Sequence, residues 1–218
     1  MRPLRSIVFG LLLVPWCWSA LVAQTPVARD LEPTDALPIR YRPVGSLLEL
    51  GVGELRAIEL SPAFTYVGGQ RFILGGKADA EQHLFVVADA SKSVQSMYWI
   101  QIEERLPTTP GSYDYSADSS VSIQGFSLAA NVLTYTTPPA PGSDRDRAFA
   151  LLAGQGYRVP EGATRVRLIY LPDTPARREI MIIYFEATPA GQGDAGSREA
   201  LISRAGAGIT LRASSASD

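Results

Sequence analysis

The chain reads as an α+β domain with a largely antiparallel β-sheet and two late helices. Three features of the sequence predict this. Strand-like segments follow one another from Leu47 to Thr136 without an intervening helical period, the period changes once at Ser143, and no repeat of about 20 to 50 residues argues for a propeller or solenoid. A β-sandwich decorated by the two helices fits the same pattern and is the alternative.

The first 23 residues have the order of a secretory signal peptide: Arg2 and Arg5, an apolar run from Ile7 to Val14, the helix breaker Pro15, then small residues up to Ala23. Cleavage after Ala23 leaves Gln24 first and no stable membrane span, because the apolar stretch from Ile7 to Ala23 only reaches the lower limit of about 17 residues for a spanning helix. Cys17 is not a lipid-attachment cysteine, since Val14, Pro15 and Trp16 precede it where small residues are needed. Residues 24–45 carry Pro26, Pro33, Pro38 and Pro43 among charges without an apolar period, which predicts an extended linker. A single globular domain over 46–212 and a disordered tail over 213–218 complete the expected organisation.

Within the domain, strands are expected over Leu47 to Leu60, Tyr66 to Leu74, His83 to Ala88 and Met97 to Glu104, where β-favouring residues lie between turn formers. Ser120 to Phe126 sets Val121 and Ile123 against Ser120, Ser122 and Gln124, the alternation of a half-buried strand, and Val132 to Thr136 is its hairpin partner. At Ser143 a helix begins. The serine caps it, Asp144 and Asp146 complement the dipole of the first turn, Ala148, Phe149, Leu151 and Leu152 make the apolar stripe, and Gly154 ends it. Phe149 and Leu152 should dock this helix while Arg145 and Arg147 face solvent or an entrance. Strands over Thr164 to Leu171 and Glu179 to Ala187 follow. The second is apolar on both faces, which marks a central, covered strand. A short helix from Ser197 to Ala205 and a last segment from Ile209 to Arg212 close the domain.

Composition narrows the function classes. Cys17 is the only cysteine, so the processed chain has no disulfides, and 218 residues less a 23-residue peptide leaves 195, enough for one apolar core. The only asparagine, Asn131, begins no glycosylation sequon, and the absence of both features suits a bacterial periplasmic or extracellular protein. Losing Arg2 and Arg5 takes the net charge from -2 to -4 with the charges scattered, which argues against nucleic acid as a partner.

Gly191 to Gly196 matches G-x-G-x-x-G, but the chain ends before a second parallel strand and a ribose-binding acid could follow, so no nucleotide cofactor is expected. Gly125-Phe126-Ser127-Leu128-Ala129 has the form of a relaxed nucleophile elbow, yet its flanks read strand to strand, and Ser127 is taken as a turn residue. His83 is the only histidine and reads as a strand-end residue without a partner; with no cysteine in the processed chain, the usual zinc ligand sets cannot form, and no metal is expected.

Carboxylates are the remaining catalytic candidates. Glu103 and Glu104 end the strand that holds Tyr98 and Trp99, but adjacent strand residues point to opposite faces, so a second acid from elsewhere would be needed to form a pair. Tyr113 and Tyr115 share one face beside Asp114 and are the binding candidates, able to stack on a sugar ring or a peptide. Three functions remain. The first is a non-catalytic binding or accessory module of the bacterial envelope with an envelope protein or glycan as partner. The others are a carboxylate hydrolase of envelope carbohydrate and a protein that binds a small apolar ligand between the sheet and the Ser143 helix.

Overall fold

The computed structural model describes residues 36–135, 137–161, 163–187 and 196–214. The expected signal peptide with Cys17, the first part of the linker, and Gly191 to Ala195 lie outside the described residues.

Among the described residues, ten strands and two helices occur in chain order: β1 (Leu47–Val52), β2 (Leu55–Leu60), β3 (Thr65–Leu74), β4 (Ala78–Ala88), β5 (Val94–Arg105), β6 (Ser119–Ile123), β7 (Phe126–Thr134), α1 (Asp144–Gly154), β8 (Thr164–Tyr170), β9 (Arg178–Glu186), α2 (Arg198–Ala207) and β10 (Ile209–Ala213). They form a seven-stranded sheet in the order β3-β4-β5-β9-β8-β7-β6 and a three-stranded sheet in the order β1-β2-β10, with every pairing between these strands antiparallel. The fold is therefore α+β with two antiparallel sheets and two late helices, and β9 is central as its doubly apolar sequence requires.

Three element boundaries differ from expectation. The segment from Leu47 to Leu60 is a hairpin of two strands that turns at Gly53 and Glu54. The β6–β7 turn falls at Gln124 and Gly125, whose positive φ values of 52° and 88° suit the right-handed twist of a tight hairpin, so Phe126 starts a strand instead of ending one. Strand β4 begins at Ala78, because the polar run before His83 finds partners inside the fold: Arg71 Nε donates to Asp79 at 2.8 Å, and Gln70 Nε2 donates to Gln82 at 2.8 Å.

Strand alternation divides the seven-stranded sheet into two unlike faces. One is packed: Phe85, Tyr98, Ile100, Ile180 and Ile182 form one core with Leu48, Leu55, Ile58 and Leu60 of the small sheet and with Leu201 and Ala205 of α2. The other is partly open. There Leu84, Met97, Trp99, Ile183 and Phe185 pack beneath Ala148 and Leu152 of α1. The Ser143 side chain accepts the Asp146 N–H and caps α1, as its sequence predicts. Phe149 is only half-buried. Arg147 does not point outward; its guanidinium lies 4.4 Å from the centre of the Phe72 ring.

The proline-bearing segment is extended but fastened to the sheet from Leu37 onward. Leu37 N–H donates to Arg71 O at 2.8 Å, and the N–H groups of Arg40 and Tyr41 both donate to the buried Glu81 carboxylate. At the other end β10 runs through Ala213, and Ser214 N–H reaches Glu54 O at 2.9 Å.

Candidate functional site

The open face carries a line of hydrogen-bonded polar side chains across four strands. Gln70 donates to Gln82, Gln82 Nε2 donates to Gln101 at 2.8 Å and to the Asp144 carbonyl at 2.9 Å, and Gln101 Nε2 donates to Glu103. Glu103 on β5 lies directly opposite Glu179 on β9, and the two carboxyl groups are hydrogen-bonded to each other. Both are buried, at 5% and 2% exposure.

Two buried carboxylates in contact cannot both be ionised at modest cost, so the pair keeps one proton. Burial raises Glu103, although hydrogen bonds from Gln101 and Tyr113 oppose it. Glu179 is pushed up to about 8 by burial and by the charge of Glu103, against the hydrogen bond from Tyr115 and the attraction of Arg167. Glu103 accepts from both Gln101 and Tyr113, which favours its ionised form. Tyr115 and Arg167 do the same for Glu179, so one proton is held by the pair as a unit. The tyrosine hydroxyls donate downward into the pair, Tyr113 to Glu103 at 3.1 Å and Tyr115 to Glu179 at 2.5 Å, and burial followed by these acids raises both tyrosines.

Two clefts open on this same face. The larger, about 640 Å³, lies between α1 and the sheet; Tyr135, Phe149 and Phe185 wall it with Val159 and Pro160, and Arg145 and Glu161 also line it. Arg145 stacks 3.9 Å from the centre of the Tyr135 ring, and Arg165 covers the same ring at 4.9 Å. The smaller, about 370 Å³, is lined by Tyr113 and Tyr115, by the polar side chains of Asp118, Ser120 and Ser127, and by apolar Ile169.

The structure separates the sequence-derived candidates. Glu103 is in the buried pair, whereas Glu104 is half-exposed on the opposite side and meets Arg40 at 3.8 Å, as strand alternation demands. Tyr113 and Tyr115 are together at the smaller cleft. Ser127 is an exposed strand residue of β7 on the same cleft. His83 is neither at a strand end nor partnerless: it is fully buried in the middle of β4, with Nε2 3.0 Å from Glu81 Oε1 and Nδ1 3.2 Å from the Tyr66 hydroxyl.

Burial opposes ionisation of Glu81, but hydrogen bonds from His83, Tyr41 and Arg40 together outweigh it and hold this carboxyl below its usual range. Gly69 is required beside this trio, since a Cβ there would stand 2.8 Å from both His83 Nδ1 and the Tyr66 hydroxyl. The histidine thus fastens the Arg40–Tyr41 segment through Glu81. Among the described residues no cluster of three or more histidine, cysteine, aspartate or glutamate side chains could hold a metal ion.

Sequence reasoning missed Glu179, Gln101 and the aromatic wall of the larger cleft. The one local signal was the charged start of an otherwise apolar strand at Glu179. Comparison with protein-family models, with characterised proteins and with solved structures finds no match to this chain. Fold and site together define a two-sheet α+β domain with one packed and one cleft-bearing sheet face.

Proposed function

We propose that the chain is an exported, non-catalytic binding module of the bacterial envelope that takes a small, largely apolar ligand between α1 and the sheet. The larger cleft carries this reading. Its volume of about 640 Å³ falls in the range of about 300 to 1,000 Å³ for small-molecule sites, and its walls are aromatic and aliphatic with few polar groups, the usual make-up of such sites. The signal-peptide order of the first 23 residues supports export.

The direct test is titration of the folded protein with the neutral apolar fluorophore N-phenyl-1-naphthylamine, with long-chain fatty acids as competitors. Saturable one-site uptake is expected, weakened at least about ten-fold, or about 1.4 kcal/mol, by Val159→Trp, which fills the cleft from its loop side. A folded wild-type protein that shows no saturable uptake would reject the reading.

The carboxylate-hydrolase alternative has one observation in its favour, the meeting of Glu103 and Glu179. The two acids face each other across β5 and β9 and are 5% and 2% exposed, whereas glycoside hydrolysis needs two carboxyl groups that flank a bound sugar. Turnover of an envelope glycan that Glu179→Gln abolishes would put the hydrolase in place of the binding module.

A further inference from the structure

We infer that the smaller cleft is a second binding site and that its ligand is a neutral saccharide ring. This rests on that cleft alone and not on the apolar-ligand reading. The Tyr115 ring is a rigid wall: its hydroxyl is pinned to buried Glu179 at 2.5 Å, and the Arg167 guanidinium lies 5.2 Å from its centre. A fixed aromatic ring presents contact area without the entropy loss of ordering a loose one.

Around the ring stand groups that match hydroxyls. Asp118 Oδ2 is held by Asn131 Nδ2 at 2.8 Å and by Arg167 at 3.7 Å, which sets a carboxylate with further acceptor sites at the cleft. Ser120 and Ser127, their oxygens 3.3 Å apart, share one hydrogen bond and together leave one hydroxyl donor and acceptor lone pairs, the complement of a sugar hydroxyl. Leu171 and Ala129, both part-exposed, give an apolar patch for the C–H face of a ring.

Charge narrows the choice to a neutral ligand. The charged side chains lining the cleft, Asp114 and Asp118, are both acidic, which disfavours an anion. Asp118 is balanced by Arg167 at 3.7 Å, and Asp114, which keeps its charge while it accepts the Ser116 N–H at 2.9 Å, is solvent-exposed, where its field is screened. The volume of about 370 Å³ lies at the small end of small-molecule sites.

The experiment is isothermal titration of the full exported chain with maltotriose, cellotriose and triacetylchitotriose, each to about 10 mM. At least one should bind with a dissociation constant of about 1 mM or tighter. Ser127→Trp, on the exposed side of β7, should weaken it at least ten-fold, and Ser116→Trp, which enters from the connecting loop, provides the same test should the first variant fail to fold. Val159→Trp should leave saccharide binding unchanged while removing the naphthylamine site, which separates failure of this inference from failure of the apolar-ligand reading. No heat with any of the three sugars, or binding indifferent to both cleft-filling variants, would overturn it.

Discussion

The two faces of the seven-stranded sheet come from the same strands and differ in almost every physical respect. The packed face is continuous with the small sheet and α2 and buries mainly aliphatic and aromatic side chains, with the hydrogen-bonded Glu81–His83 pair at its β4 end, whereas on the open face α1 covers only one part and the rest carries glutamines, a carboxyl pair and tyrosines. Apolar burial contributes about 25 cal/mol per Å² without regard to direction, while the glutamines and the carboxyl pair of the open face are tolerated inside because they are hydrogen-bonded. One face stabilises the domain and the other shapes its clefts.

The largest expected effect tests how far α1 lets the open face share in stability. Trp99 is 1% exposed on the open face, stacked on Phe185 with ring centres 6.4 Å apart, and Ile182 is fully buried on the packed face. Trp99→Ala should cost about 3 to 5 kcal/mol and Ile182→Ala about 2 to 5 kcal/mol in denaturant unfolding. If Trp99→Ala cost less than about 1 kcal/mol, the apolar half of the open face would not be core, and the division would have to be redrawn at the sheet itself.

Next in size is the pH dependence set by the carboxyl pair. Glu179 titrates near 4.5 in the unfolded chain and at about 8 in the folded one, so between these values the folded state binds a proton that the unfolded state lacks. Stability from this group is fully present below about pH 4.5, falls as pH rises towards about 8 by at most about 1.4 kcal/mol per unit, and is level above that. Glu179→Gln keeps a donor to Glu103 but cannot ionise. It should remove this slope, matching wild type near pH 5 and exceeding it near pH 8.5 in chemical denaturation. Parallel curves for the two proteins would show that the pair does not share a proton, and the polar half of the open face would lose its main distinction.

The packed face was far more legible in the sequence than the open one, for a physical reason. Alternation is a local pattern, so Val121 and Ile123 against Ser120 and Ser122, or the doubly apolar run of β9, announces a buried face from neighbouring residues. Ser143, Asp144 and Asp146 likewise announced α1 through capping chemistry that spans one turn. The open face depends on register between strands distant in sequence. Nothing near Glu103 indicates that Glu179 lies opposite, and Gln70, Gln82 and Gln101 meet only through the register of three strands. His83, on the packed face, was misplaced because β4 begins before it and Tyr66 reaches it from β3, while its other partner Glu81 is two residues away on the same strand face.

The smallest expected effect on stability asks whether the open face reads a ligand's head group. Arg145 spans the Tyr135 ring and donates to the Thr137 carbonyl at 3.0 Å, so Arg145→Ala should lower stability by only about 0.5 to 1 kcal/mol, the value of a cation–π contact at a partly exposed site. Its larger consequence should be in binding. A guanidinium at the cleft attracts a carboxylate, while Glu161 on the same cleft repels it, and Arg145 has the advantage of being held in place by its ring and carbonyl contacts. A fatty acid should therefore displace N-phenyl-1-naphthylamine at lower concentration than the fatty alcohol of equal length, and Arg145→Ala should abolish that difference while leaving the alcohol's competition unchanged. An acid and an alcohol that compete equally with the wild-type protein would mean that Glu161 cancels Arg145 and that the cleft recognises the apolar body alone. A variant that loses the alcohol as well would make Arg145 part of the wall, through its hold on Tyr135.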